Sequence, residues 1–228
     1  MKSKSKLQLI RNAVQLVFLV LLIAGIYTKM RMVLIVFLPA ALLFGNFFCG
    51  WACPYGTVQE IFGKIGSLFI KKKLKMPRVV QKYLQYVRYI LFALVTVGIG
   101  EAAFYYINGY MTFMGQFMAG FILDASFVIM ISFALIALFF ERPFCNYLCT
   151  EAAKYGIVSM VRIFSIKRNE DTCISCRKCD RVCPMNIVIS DKKHVRNGQC
   201  INCLECVSAC PVENTLTYGF TGLKLRNK

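Results

Sequence analysis

The chain has 228 residues, of which 57% are hydrophobic and 17% charged, and it carries a formal charge of +17 at pH 7. The charged fraction lies below the quarter or so that is typical of soluble domains, which predicts that part of the chain is buried in lipid. A basic charge can indicate nucleic acid, but a lipid-buried chain argues against that class, and the charge is better explained by an anionic membrane surface or an acidic protein partner.

Four apolar segments come first in the chain, over residues 9–27, 32–48, 86–107 and 119–140. A helix that crosses the hydrocarbon core of a bilayer needs about 20 apolar residues, and each segment is near that length. The sequence therefore predicts a domain of four transmembrane helices over residues 1–164.

The basic residues predict how these helices are oriented. Lys2, Lys4, Lys6 and Arg11 lie at the start of the chain, and the stretch 64–88 between the second and third segments is also rich in Lys and Arg. Cytoplasmic loops carry such an excess, so both termini are expected in the cytoplasm and the protein in the inner membrane as a multi-pass chain. The cytoplasm is reducing, which disfavours structural disulfides.

Glu101 and Asp124 are the acidic residues inside the predicted spans. Acids within a membrane are costly and often functional, so both are candidates for accepting protons from a quinol. The alternative is that each lies close enough to the interface to be solvated.

Two cysteine pairs follow the second and fourth segments. Cys49 and Cys53 form one Cys-x3-Cys pair, and Cys145 and Cys149 form the other, which makes an internal repeat. A spacing of four places both thiols of a pair on one helix face. The residues leave three roles open: an iron or iron–sulfur site, a reversible disulfide, or packing as small buried hydrophobes. Trp51 lies inside the first pair, and an anchor at the membrane interface explains it as well as a role in the pair does.

The C-terminal region, 165–228, is predicted to be a small soluble domain that needs metal or disulfides for stability. It contains a Cys-x2-Cys-x2-Cys-x3-Cys-Pro run that begins at Cys173 and is repeated 27 residues later from Cys200. A zinc site prefers isolated Cys-x2-Cys pairs, so the doubled run argues against zinc.

This doubled run resembles that of the two-cluster bacterial ferredoxins, in which the fourth cysteine of each run ligates the other cluster. The resemblance implies a small α+β domain with two 4Fe–4S clusters. It implies one cluster on Cys173, Cys176, Cys179 and Cys210, and another on Cys200, Cys203, Cys206 and Cys183.

The whole chain shows a second resemblance. Helices that end in Cys-Gly-Trp-Ala-Cys-Pro and Phe-Cys-Asn-Tyr-Leu-Cys, followed by two ferredoxin runs, resemble the NapH/MauN-type membrane ferredoxins, which are related to the C-terminal part of NosR-type polyferredoxins. The second motif of that family usually ends in proline, whereas Thr150 follows Cys149 here, which leaves the role of the second pair less certain.

That family resemblance implies an electron-transfer subunit rather than a stand-alone enzyme. We expect it to link a membrane quinone pool, or a membrane redox partner, to a cytoplasmic ferredoxin or reductase. Two alternatives stay open: a maturation or regulatory factor that gives electrons for assembling another protein's metal centre, and a redox sensor that works through the four Cys-x3-Cys thiols.

Overall fold

The computed structural model describes residues 2–23, 32–69, 74–98 and 108–221, which belong to two compact units. The first, here the cysteine-rich unit, consists of residues 1–17, 30–52 and 155–228. The second, here the helical unit, consists of residues 18–29 and 53–154. Helix α1 (Lys2–Ile23) begins in the first unit and ends in the second.

The cysteine-rich unit is built on one small sheet. Strand β1 (Phe164–Arg168) pairs antiparallel with β2 (Leu216–Phe220), in the register that sets Ile166 opposite Tyr218. Strands of five residues cannot cover their own apolar face, so a small core forms against the sheet. Its buried members are Ile166, Met185, Ile187, Ile189, Val195 and Leu216.

Short helices complete this unit. Helix α2 (Met32–Phe44) ends where Gly45 takes a φ of 78°, a left-handed conformation that commonly terminates helices. A π-helical turn, Phe48–Ala52, follows it. Near the C-terminal end lie two single-turn helices, which we number after those of the helical unit as α9 (Lys178–Arg181) and α10 (Glu205–Ala209).

The described part of the helical unit is made mainly of helices. They are α3 (Pro54–Phe69), α4 (Arg78–Thr96), α5 (Gly109–Ala119), α6 (Ala125–Ile136) and α7 (Pro143–Tyr147), followed by α8 (Thr150–Ser159), whose last residues belong to the cysteine-rich unit. The rings of Tyr55, Phe113 and Phe144 pack together in its core. Gly66 permits a close approach of α3 to the chain at Leu138, because a Cβ at residue 66 would lie 2.0 Å from the Leu138 carbonyl oxygen.

The prediction of four transmembrane helices is wrong. Across residues 2–23, 32–69, 74–98 and 108–221, no helix combines the length and the apolar character needed to cross a bilayer. Helices α2 and α6 have 13 and 12 residues, against the roughly 20 that a span requires. Helix α4 is longer, with 19 residues, but includes Lys82 and Arg88.

The apolar segments were misread because they contain helix ends. The second segment continues past Phe44, where α2 stops, and the fourth contains both the left-handed Gly120 that closes α5 and Asp124, which caps the start of α6. Mean hydropathy does not register these breaks. The structure is mostly helical, with one two-stranded sheet in its described part.

Candidate iron–sulfur sites

The eight cysteines of the doubled run lie around two cavities in the cysteine-rich unit. One cavity is lined by Cys173, Cys176, Cys179 and Cys210, here the outer set. The other is lined by Cys183, Cys200, Cys203 and Cys206, here the inner set. Each set takes three thiols from one run and one from the other, which is the grouping implied by the resemblance to two-cluster ferredoxins.

The backbone around both sets has the same unusual conformation. Ser175 and Arg177 have φ values of 52° and 53°, and Asn202 and Leu204, 27 residues later, have 49° and 57°. Left-handed residues are uncommon outside glycine, and alternation of left- and right-handed conformations turns successive N–H groups toward a common anion. The backbone therefore suits an anionic sulfur cluster in each cavity.

The number of thiols in each set, four, matches the number of ligands that a 4Fe–4S cluster takes. Among the residues that the structure describes, no three His, Cys, Asp or Glu side chains are grouped so that they could hold one metal ion. A 4Fe–4S cluster takes its four thiolates on four different irons, so its ligands are spread around a larger body. None of the twelve cysteines forms a disulfide.

The two sets differ in burial. All four inner thiols are buried, beneath apolar residues that include Ile166, Met185 and Ile187, whereas Cys176 of the outer set is exposed. Burial, followed by weaker effects of neighbouring thiols, raises the pKa of Cys206 well above its ordinary value. In the outer set the Ser175 backbone N–H, and then Arg168, lower the pKa of Cys173.

The turn that carries Cys49 contacts the loop of the inner set. The Trp51 indole N–H donates to the Asn202 carbonyl oxygen at 2.9 Å. Gly50 lies so close to that loop that a Cβ would stand 2.2 Å from the Ile201 carbonyl oxygen. The sequence allowed an interface anchor at Trp51; the structure places its ring against the segment between Cys200 and Cys203.

Asn202 completes this contact and is fully buried. Its side-chain amide donates to the Phe44 carbonyl oxygen at 2.5 Å, and its oxygen lies 3.4 Å from the Cys200 sulfur. Asparagine adopts the left-handed conformation more readily than most residues, so one side chain both permits the turn and ties it to the end of α2. No local pattern in the sequence marks this role of Asn202.

Three of the four remaining cysteines lie together in the helical unit. Cys53, Cys145 and Cys149 are buried, and burial, followed by the nearby Cys145 thiol, raises the pKa of Cys149 to about 12. Burial and then Cys145 likewise raise the pKa of Cys53. The Gln59 side-chain amide donates to the Cys145 sulfur at 3.4 Å. Burial thus disfavours the charged thiolate at all three residues.

Cys49 belongs to the cysteine-rich unit, where its backbone N–H donates to the Asn46 side chain at 3.2 Å. The structure thus groups three thiols of the two Cys-x3-Cys pairs in one unit and describes the fourth in the other. An iron or redox role for Cys49, Cys53, Cys145 and Cys149 stays a prediction.

The acidic candidates have different outcomes. Asp124 caps α6: its carboxylate accepts from the Phe127 N–H at 2.9 Å and from the Ser126 hydroxyl at 2.6 Å. The Ser126 hydroxyl, and then the Phe127 N–H, lower the pKa of Asp124, which favours the ionised form. Glu101 lies outside the described residues, so its predicted proton role stays a prediction.

Two protein-family models match the chain. A model described as a 4Fe–4S binding domain matches residues 30–77 and 125–167, which contain the two Cys-x3-Cys pairs. A model described as a 4Fe–4S dicluster domain matches residues 165–211, which contain all eight cysteines of the doubled run. Iron–sulfur binding is therefore a property of this chain.

Similar proteins agree with these models. YccM of Escherichia coli, assigned by its name to electron transport, is 32% identical over 85% of this chain and 57% of its own length. An uncharacterized protein of Methanocaldococcus jannaschii is 34% identical over 70% of the chain and 67% of its own length. The ferredoxin-type protein NapH of Haemophilus influenzae is 28% identical over 70% of the chain and 55% of its own length.

The chain thus spans less than two thirds of the length of YccM and NapH. No solved structure matches it. The doubled cysteine run, the cavities that it lines and the relatives lead to one assignment: the chain belongs to the NapH-type family of 4Fe–4S ferredoxin proteins.

Proposed function

We propose that this protein relays single electrons through two 4Fe–4S clusters, one bound by the outer set and one by the inner set. Electrons enter from a membrane redox partner or its quinol and leave to an acidic soluble carrier. The observation that carries the proposal is the grouping of eight thiols into two sets of four, each drawn from both runs. When bound, each cluster supplies a one-electron redox centre.

The ligand count favours a relay over a catalytic centre. Each cavity has one thiol for every iron of its cluster, so no iron is left open for a substrate. Because each run supplies ligands to both cavities, the chain holds the two sites next to each other. Neighbouring one-electron centres without an open coordination position are suited to passing electrons on.

The outer set is the better place for exchange with a carrier. Cys176 is the one exposed thiol of the eight, and Ile174 beside it is 63% exposed. Arg177, Lys178 and Arg181 are also exposed on this face. The acids here are partly engaged: Glu170 pairs with Lys193 and Arg168, and the Asp180 carboxylate accepts the Ile189 and Ser190 N–H groups, while Asp171 is exposed.

An exposed apolar residue close in sequence to three exposed cations fits an acidic partner, since complementary charge accelerates encounter and orients the docked pair. The shortest electron path from the partner then runs to the cluster whose ligand is exposed. The inner set has no exposed thiol and would exchange through the outer one.

The two-cluster assignment is tested by iron content and by two neighbouring substitutions. Anaerobically purified full-length protein should contain about eight irons. Cys206→Ser and Cys210→Ser, four residues apart in one run, should each remove a different cluster, seen as the loss of different signals in electron paramagnetic resonance (EPR) spectra. Cys53→Ser in the helical unit is the matched control and should leave both signals.

Four irons in the unaltered protein would contradict the proposal. So would loss of the same signal from Cys206→Ser and Cys210→Ser, because the crossed sets would then be wrong.

The carrier and donor are tested separately. Electron transfer from the reduced protein to an acidic flavodoxin should slow with added salt and with Arg177→Glu plus Lys178→Glu, whereas Lys82→Glu on α4, also an exposed lysine, should change the rate little. Duroquinol serves as the donor probe. Direct reduction of the clusters by duroquinol would place quinol oxidation in this chain, and its absence would place that step in a partner.

A further inference from the structure

The N-terminal helix contacts the loop that carries two thiols of the inner set. The Arg11 guanidinium donates to the Cys203 carbonyl oxygen at 3.1 Å and to the Glu205 carboxylate at 3.1 Å. One turn earlier, the Gln8 side-chain amide donates to the same Cys203 carbonyl at 3.1 Å and to the Ser208 hydroxyl at 3.1 Å. Nearly 200 residues of sequence separate the partners, so this contact belongs to the fold and not to local chain geometry.

Arg11 is a buried charge at this contact. Its side chain is 2% exposed, whereas the side chain of its partner Glu205 is 33% exposed. Burying a cation costs several kcal/mol unless it is paired and hydrogen-bonded, and here the carboxylate and the carbonyl provide that compensation. Water screens Glu205 more than Arg11, so the pair presents a net positive field toward the buried side.

The inner cavity has little else that carries charge. Apart from its four cysteines it is lined by Glu205 and by Pro184 and apolar side chains, which are Ile166, Met185, Ile187, Ile189, Ile201 and Leu204. Charges act more strongly on one another in such surroundings than in water. A cation hydrogen-bonded to the backbone of a ligand residue therefore has a direct effect on any charge that the inner set holds.

We propose that Arg11 is a positioning residue that raises the reduction potential of the cluster bound by the inner set. Reduction adds one electron and one negative charge to that site, and no proton is transferred. Arg11 stabilises the added charge and, together with Gln8, holds the Cys203 segment against α1. This inference rests on the proposed function, because it requires a cluster on Cys183, Cys200, Cys203 and Cys206.

The test is an anaerobic redox titration of the full chain followed by EPR spectroscopy, with Cys206→Ser identifying the inner signal. Arg11→Gln keeps a hydrogen-bond donor but removes the charge. At a fixed applied potential it should lower the reduced-to-oxidised ratio of the inner cluster about tenfold, a shift of about 59 mV for one electron, and leave the outer cluster unchanged. Arg11→Lys keeps the charge, so the potential of its inner cluster should lie close to that of the unaltered protein.

Two further variants separate charge from structure. Gln8→Ala removes a hydrogen bond to the Cys203 carbonyl oxygen without changing the charge, and it should leave the reduction potential unchanged. Glu205→Gln removes the counter-charge while Arg11 remains, and should shift the potential upward. Where Arg11→Gln alone fails to hold iron, the double variant Arg11→Gln plus Glu205→Gln removes both charges of the pair, and its inner potential should lie below that of Glu205→Gln.

An unchanged potential in Arg11→Gln, or equal potentials in Glu205→Gln and the double variant, would overturn the role of Arg11, and so would a shift in Gln8→Ala equal to that in Arg11→Gln. Absence of any inner signal from the unaltered protein is a different outcome, because it would defeat the two-cluster proposal itself.

Discussion

The outer and inner sets are built from the same cysteine spacing and the same left-handed backbone positions, but the rest of the chain treats them differently. The inner set is buried, with α1 and the Phe48–Ala52 turn in contact with its loop. The outer set includes an exposed thiol beside the exposed Ile174. The same cysteine spacing thus occurs in both sets. Segments that are distant in sequence determine how far the thiols of each set are exposed to solvent.

This difference in exposure predicts different roles for the two sites. A site with an exposed thiol can exchange electrons with a docked carrier, and a site enclosed by apolar side chains is protected from water and from chelators. Substitutions in the covering segments should therefore damage the inner cluster and spare the outer one.

Among these variants, Gly50→Ala should have the largest effect on the inner cluster relative to the outer one. A Cβ at residue 50 would meet the Ile201 carbonyl oxygen at 2.2 Å, so the loop must move, and forced overpacking typically costs about 1–3 kcal/mol or more. We expect the iron content to fall from about eight to about four, with loss of the inner EPR signal.

Gly219→Ala is the matched control for Gly50→Ala. At residue 219 the nearest atoms to an added Cβ belong to Lys167 and are 4.0 Å away, an ordinary contact. Full iron content in Gly50→Ala would show that the Phe48–Ala52 turn does not support the inner site.

Asn202→Ala and Ser175→Ala alter equivalent positions in the two runs. Both residues have positive φ, but only Asn202 is fully buried, and its side chain also donates to the Phe44 carbonyl. We expect Asn202→Ala to lower the free energy of unfolding by about 1–3 kcal/mol more than Ser175→Ala, because it leaves a buried acceptor unsatisfied. Guanidinium chloride unfolding of anaerobic protein measures this difference, and equal losses would mean that the shared backbone conformation alone decides stability.

The grouping of thiols into candidate sites could be predicted from the sequence through the resemblance of the doubled run to two-cluster ferredoxins, in which the fourth cysteine of each run ligates the other cluster. The sequence was insufficient for the covering of the inner set, because Gln8, Arg11 and Trp51 meet that loop across about 150 to 200 residues of chain. No local pattern marks such partners. The transmembrane prediction failed for a related reason: hydropathy counted apolar residues on both sides of Gly45 and Gly120, where the chain turns.

Asp180→Asn removes a carboxylate that accepts hydrogen bonds from Ile189 and Ser190 next to the outer set. The inner set has no equivalent carboxylate at that position, because the residue 27 positions later is Val207. Burial raises the pKa of Asp180, but hydrogen bonds from the Ser190 hydroxyl and the Ile189 and Ser190 N–H groups outweigh burial and lower it below its ordinary value of 3.8. Hydrogen bonds to a charged group contribute about 1.5–3 kcal/mol, so the variant should lose about that much stability at neutral pH.

The sign of its pH dependence follows from the lowered pKa. The carboxylate stabilises the fold at pH values above the ordinary 3.8, and this contribution is lost as the pH falls through the lower, folded-state pKa. The difference in unfolding free energy between the unaltered protein and Asp180→Asn should thus stay constant from neutral pH down to about pH 5. A difference that shrinks within that range would show that Asp180 is not held ionised.

Trp51→Phe should have the smallest effect of these variants, and that effect should be confined to the inner cluster. It keeps an aromatic ring and removes the one N–H that reaches the Asn202 carbonyl, which predicts a loss of about 1 kcal/mol. Iron release to a chelator should accelerate about fivefold for the inner cluster and stay unchanged for the outer one, since 1 kcal/mol corresponds to roughly that factor. Tyr147→Phe, which removes a hydroxyl that donates to the Gln81 side chain at 2.6 Å, is the control, because both residues belong to the helical unit. If Trp51→Phe and Tyr147→Phe released inner iron at the same rate, contact of the turn with the ligand loop would contribute nothing to protection, and burial by apolar side chains alone would have to explain why two runs of the same spacing behave differently.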